Sequence, residues 1–113
     1  MGEAQPKHIT MYVTLTGQVP VEDWLSALRD RQARARIRVR IDRLRLGNAG
    51  DARPVGRGVW ELRINYGPGY RVYYAQSESD ILLLLCGGDK TTQTADIALA
   101  QAHWVEYQQR RRP

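Results

Sequence analysis

Lysine is almost missing from this basic chain. Of its 17 basic residues only Lys7 and Lys90 are lysine, so the formal charge of +5 is carried by arginine. Guanidinium groups are planar forks that match phosphate and carboxylate oxygens, and a surplus of them favours polyanionic or acidic partners. Cysteine is equally scarce. Cys86 stands alone inside the apolar run Ile81-Leu-Leu-Leu-Leu-Cys86, which excludes an intramolecular disulfide and a thiolate metal cage and fits a reducing, intracellular setting. That six-residue run is the longest apolar stretch, far below the roughly 20 residues of a spanning helix. The first thirty residues hold no apolar segment behind a basic one, so a secretory leader is not expected and the expected location is the cytoplasm. Phenylalanine is absent, with no physical consequence of its own.

Familiar catalytic signatures are missing too. His8 and His103 belong to no ligand pattern such as HExxH, and neither GxSxG, nor a glycine-rich dinucleotide fingerprint, nor the GxxxxGK[ST] spacing occurs. Ordinary hydrolase and oxidoreductase chemistry is thereby disfavoured, and neither a metal nor a cofactor is expected.

The 113 residues suffice for one core, so the chain reads as a single domain over 1–113 with an ordered core of about 8–107. Its charge is concentrated. Residues 29–45 hold eight arginines against Asp30 and Asp42, a local balance of +6, and the remainder sums to −1.

Periodicity supplies the elements. Ile9, Met11, Val13 and Leu15 alternate within His8–Thr16, predicting a first strand ended by Gly17 and Pro20. Val21–Arg31, with acids in its first turn and Trp24, Leu25 and Leu28 at helical spacing, predicts a short helix. Ala33–Ile41 (ARARIRVRI) alternates like a strand. The helical reading is preferred, because no Gly or Pro interrupts 21–46 and Ala33, Ile37, Ile41 and Leu44 form one stripe. Gly47 suits a helix end, and Asn48–Gly58 is dense in turn residues and reads as a loop. Val59–Tyr66 and Tyr70–Gln76, joined by Gly67-Pro68-Gly69, predict a hairpin. Ile81–Cys86 predicts a strand covered on both faces and central in its sheet. Thr94–Tyr107 predicts a final helix. The order β, α, α, β, β, β, α defines an α+β domain with a helical hairpin, an antiparallel meander and a C-terminal helix.

Two stretches carry candidate chemistry. Alternation puts Trp60, Leu62, Ile64 and Tyr66 on one face of the hairpin and Glu61, Arg63 and Asn65 on the other; in the second strand it separates Tyr70, Val72 and Tyr74 from Arg71 and Tyr73. A face gathering Arg63, Arg71 and Tyr73 suits phosphate binding and base stacking; the competing reading is that the arginines merely pair with Glu61. In Cys86-Gly-Gly-Asp-Lys90 two glycines permit close backbone approach and Lys90 projects toward a phosphate, unless Asp89 simply caps a turn. The exposed arginines of the second helix, Arg34, Arg36, Arg38, Arg40, Arg43 and Arg45, carry enough charge to attract RNA by counterion release.

Taken in order, GVWELRINYGPGYRVYY, ILLLLCGGDK and TADIALAQAHW resemble the addiction-module killer proteins, a HigB-like branch of the RelE/ParE toxin superfamily, over roughly Trp24–Trp104. The resemblance implies a RelE-like fold and neutralisation by a cognate antitoxin, often a helix-turn-helix protein. It implies one of two activities: mRNA cleavage, usually on the ribosome, or inhibition of DNA gyrase without nuclease action. For cleavage Arg63, Arg71 and Lys90 are the cations, Tyr73 rather than Tyr70 the stacking or proton-transfer group, and His103 a remoter candidate. Some RNase relatives carry a histidine or an acidic residue on the sheet as acid or base, whereas this chain has no histidine between Ile9 and Ala102. A third reading, an RNA-binding module without catalysis, needs only the arginine helix.

Overall fold

Alternation gives every strand two faces, and in this chain the middle strands are apolar on both, so layers of helix are required on either side of the sheet. The computed structural model describes residues 5–112. Its elements are β1 (His8–Met11), α1 (Pro20–Ala27), α2 (Arg31–Arg45), β2 (Ala52–Gly56), β3 (Val59–Ile64), β4 (Tyr70–Glu78), β5 (Ile81–Asp89), a 3-10 turn at Lys90–Thr92, and α3 (Gln93–Arg110). The five strands form one mixed sheet in the order β1-β5-β4-β3-β2.

The helical hairpin covers one face. Val21 and Leu25 of α1 and Ala33, Ile37 and Leu44 of α2 pack on Leu62, Ile64, Val72, Tyr74, Leu82 and Leu84. The expected stripe is therefore the buried face of α2, and fully burying an Ile or Leu contributes about 1.5–3 kcal/mol. Helix α3 covers the other face with Ala100 and Trp104, against Val59, Tyr73, Ala75, Leu83 and Leu85. Leu85 and Cys86 both join that side because the register shifts by one residue between Tyr73 and Tyr74; a bulge of this kind turns two successive residues to one face.

Local chemistry sets the helix ends. Pro20 opens α1, and Leu28, extended at ψ 122°, closes it. The Asp30 carboxylate then accepts from the backbone N–H groups of Gln32 and Ala33 and starts α2. The strand pattern in ARARIRVRI loses because this cap, the uninterrupted helix formers and the stripe all agree on helix.

Four expectations are corrected. The first strand stops at Met11, because Thr14 and Gln18 close a turn through Thr14 N–H to Gln18 O, 2.8 Å. Strand β1 pairs in parallel with β5, His8 opposite Ile81 and Met11 opposite Leu84, so the sheet is not a pure antiparallel meander. The expected loop 48–58 contains β2, which lines the outer edge of β3. Strand β5 is covered on both faces, yet β4 holds the middle of the sheet.

Candidate nucleic-acid interface

The β3–β4 hairpin builds the site. Gly67 (φ +57°) and Gly69 (φ +81°) occupy left-handed backbone that L side chains disfavour. A Cβ at Gly69 would lie 2.7 Å from the Arg71 guanidinium, which donates to the Gly69 carbonyl. The turn thus needs glycine twice, for its dihedral angle and for the arginine that fills the vacated space.

Register brings the cations together. Arg63 on β3 stands directly opposite Arg71 on β4, and Arg71 in turn stands opposite Gly88 on β5, two residues before Lys90. Like charges opposite one another on a sheet repel. Each arginine is therefore held by its own carboxylate: Arg63 by Asp51 at 3.1 Å, Arg71 by Glu61 at 3.6 Å. Lys90 is exposed and has no hydrogen-bond or ion-pair partner among the described residues. Arg63, Arg71 and Lys90 together line an open cleft of about 330 Å³, with Asp51, Asn65 and the Gly67–Gly69 turn.

Beneath the cleft lies a buried carboxylate that alternation assigned only to an exposed ion pair. Glu61 is fully buried. Its oxygens accept from Tyr73 Oη (3.0 Å), Gln93 Nε2 (2.7 Å) and Arg53 Nε (3.1 Å). Burial alone pushes its carboxyl up, but the hydrogen bonds from Gln93, Tyr73 and Arg53 outweigh that and hold it below the usual carboxylate range. Arg71 Nε is a buried donor with no hydrogen-bond partner and faces the Glu61 carboxylate at 3.6 Å. Alternation puts Glu61 on the face that also carries Val59 and Arg63, and an acid next to an apolar residue on that face was the available signal for this role.

Tyr73 lies elsewhere than expected. Its ring is fully buried under α3 and offers no plane to a base, while burial first and Glu61 second drive its hydroxyl pKa up. It supports Glu61 from inside the sheet. His103 is remote from the cleft, stacked on Tyr12 at 4.5 Å, and burial lowers its pKa. The glycines of the Cys86–Lys90 segment serve packing: Gly87 receives the Trp24 ring and Gly88 the Asp96 carboxylate. Asp89 caps the 3-10 turn through its side chain.

The arginines of α2 divide in two. Arg38, Arg43 and Arg45 are exposed, Arg45 beside Asp42 at 3.9 Å. Arg36 lies over the Tyr66 ring at 4.6 Å. Arg34 instead donates to the Leu28 carbonyl. Arg40 donates to the carbonyls of Arg63 and Ala49 at 2.5 and 2.8 Å, tying α2 to the cleft wall. Among the described residues no three His, Cys, Asp or Glu side chains converge as a metal-ligand set, and no helix is long and apolar enough to cross a membrane.

A mixed five-stranded sheet between a helical hairpin and a C-terminal helix, with a cationic cleft at one hairpin end, is an α+β architecture compatible with the RelE-like toxins. Residues 23–104 match the family described as "Phage derived protein Gp49-like (DUF891)", and the chain belongs to that family. The family is one of addiction-module toxins, which implies an antitoxin partner. The chain is also similar to an uncharacterized protein of Haemophilus influenzae, at 44% identity over 91 residues that span 80% of this chain and 92% of the relative.

Proposed function

We propose that this protein is the toxin of a type II toxin–antitoxin pair and acts in the cytoplasm as a metal-independent mRNA endonuclease on the ribosome, in the manner of the HigB-like proteins. The observation that carries the reading is the cross-strand pair Arg63–Arg71 in one open cleft with Lys90, which has no partner among the described residues. Cleavage without a metal requires a base at the ribose 2′-OH, cations around the phosphorane, and a donor to the leaving 5′-oxygen. In this reading Arg63 and Arg71 hold the phosphate and Lys90 protonates the leaving oxygen. Asp51, a carboxylate of the cleft lining, accepts the 2′-OH proton. Arg38, Arg43 and Arg45, exposed on α2, engage RNA phosphates, and the antitoxin silences the protein by covering this basic surface with an acidic segment.

The test is to induce the chain without antitoxin in a bacterial host and follow labelled precursors into protein and DNA over the first minutes. The expected result is early loss of protein synthesis with replication intact, abolished by Arg71→Ala or Lys90→Ala in folded protein. Early replication arrest would instead identify a gyrase inhibitor. Unchanged toxicity of folded Arg71→Ala would remove Arg71 from the mechanism.

A further inference from the structure

We propose that the groove between α2 and the end of β3 is a nucleobase subsite, where the Arg36 guanidinium stacks on a base of single-stranded RNA whose phosphates lie in the Lys90 cleft. The inference rests on the RNA reading above and specifies its substrate as a strand of at least two nucleotides with an unpaired base.

The groove holds about 390 Å³ and shares Ile64 and Asn65 with the cationic cleft, so the two are neighbouring compartments. Its floor is a built platform. The Tyr66 hydroxyl shares its one hydrogen between two acceptors, Asp30 Oδ2 and Gln32 Oε1, both at 3.1 Å, which orients the ring. The Arg36 guanidinium carbon lies over that ring, 4.6 Å from its centroid, and the residue is exposed and lines the groove, so the aromatic backs a guanidinium that a flat ligand can reach. Arginine planes of this kind stack on unpaired RNA bases and add a cation–π contribution.

The rest of the groove suits a base better than an acidic peptide. Val39, 47% exposed, supplies an apolar wall. Asn65 is exposed and its side chain has no hydrogen bond among the described residues; an amide carries both a donor and an acceptor, the combination that reads a base edge. Of the groove's other two arginines, Arg40 is already committed to backbone carbonyls, and Arg43, exposed at the groove wall, is placed to meet a phosphate of the same strand. The remaining wall is flat, amphipathic and amide-bearing.

The experiment compares binding of fluorescein-labelled hexanucleotides by polarisation at fixed salt, one oligonucleotide carrying bases and the other abasic, using the full chain. Wild type is expected to prefer the base-bearing strand by fivefold to a hundredfold, the range of one stacked base, on the order of tenfold. Arg36→Ala, on an exposed helix face, is expected to erase that preference while keeping affinity for the abasic strand within about threefold. Lys90→Ala should weaken both strands equally. Equal wild-type binding of the two strands, or a preference that survives Arg36→Ala, would overturn the subsite and leave the phosphate cleft standing. Binding of neither strand would overturn the RNA reading and the subsite together. Loss of antitoxin binding in Arg36→Ala with the base preference intact would reassign the groove to the antitoxin.

Discussion

Arg63 on β3 and Arg71 on β4 are direct cross-strand neighbours, each kept in place by a different carboxylate, Asp51 at the rim and Glu61 in the interior. The pair divides the work of the site. The rim carboxylate is exposed to solvent, whereas Glu61 is sealed beneath Arg71 and is answered by Tyr73, Gln93 and Arg53.

Removing Glu61 leaves Arg71 buried without its counter-charge. Glu61→Ala is expected to cost about 3 kcal/mol, the penalty for breaking a largely buried pair. Tyr73→Phe, which removes one hydrogen bond, is expected to cost about 1 kcal/mol. Urea denaturation of both variants measures the difference; equal, negligible losses would show that the carboxylate does not hold the hairpin.

Stability should fall at both ends of the pH scale through one contact. The Tyr12 hydroxyl donates to Glu106 Oε1 at 2.5 Å, and Arg110 binds the same carboxylate. The hydrogen bonds from Arg110 and then Tyr12 hold Glu106 down at about 2, from 4.5, so its contribution is complete above about 4.5 and is lost as pH falls toward 2. Burial, then Glu106, pushes Tyr12 from 10.0 up to about 12, so its contribution is complete below 10 and is lost as pH rises through 12. The depressed Glu61 acts on the acid side in the same direction. Urea midpoints measured across pH should show Glu106→Gln flattening the acid limb and Tyr12→Phe the alkaline limb.

Gly87 is a packing glycine. A Cβ there would enter the Trp24 ring, so Gly87→Ala is expected to cost about 1–3 kcal/mol by overpacking. Combining it with Trp24→Leu should recover part of the loss, a coupling that a double-mutant cycle detects. Strict additivity would mean that the two residues do not meet.

Two arginines two residues apart on α2 should behave oppositely. Arg40→Ala cuts the ties to the Arg63 and Ala49 carbonyls and is expected to cost about 2 kcal/mol. Arg38 is exposed, with no partner among the described residues. Its alanine variant should leave stability within about 0.5 kcal/mol and reduce the slope of log K against log salt for single-stranded RNA by about 0.7. Thermal unfolding and salt titration separate the two.

The sequence made the helices and the cation row readable because both are periodic and local. Ala33, Ile37 and Leu44 announced the buried face of α2, and alternation put Arg63 and Arg71 on one side of their strands. Strand β2 was hidden because Pro54 with Gly50, Gly56 and Gly58 looks like a loop, although an edge strand tolerates proline on its unpaired side. The fates of Tyr73 and Glu61 were hidden for another reason. Alternation says which face a residue shares but not what covers it, and here α3, some thirty residues downstream, covers both.

The parallel pairing of β1 with β5 also dictates when the molecule can come into being. Met11 has no sheet partner until Leu84 has been synthesised, a delay of several seconds at about 5–20 residues per second. Lys90, which completes the cleft, is made later still. During its own translation the nascent chain therefore carries an unfinished sheet and an incomplete cluster of cations, and the ribosome that makes it has translated past Lys90 before an assembled cleft exists.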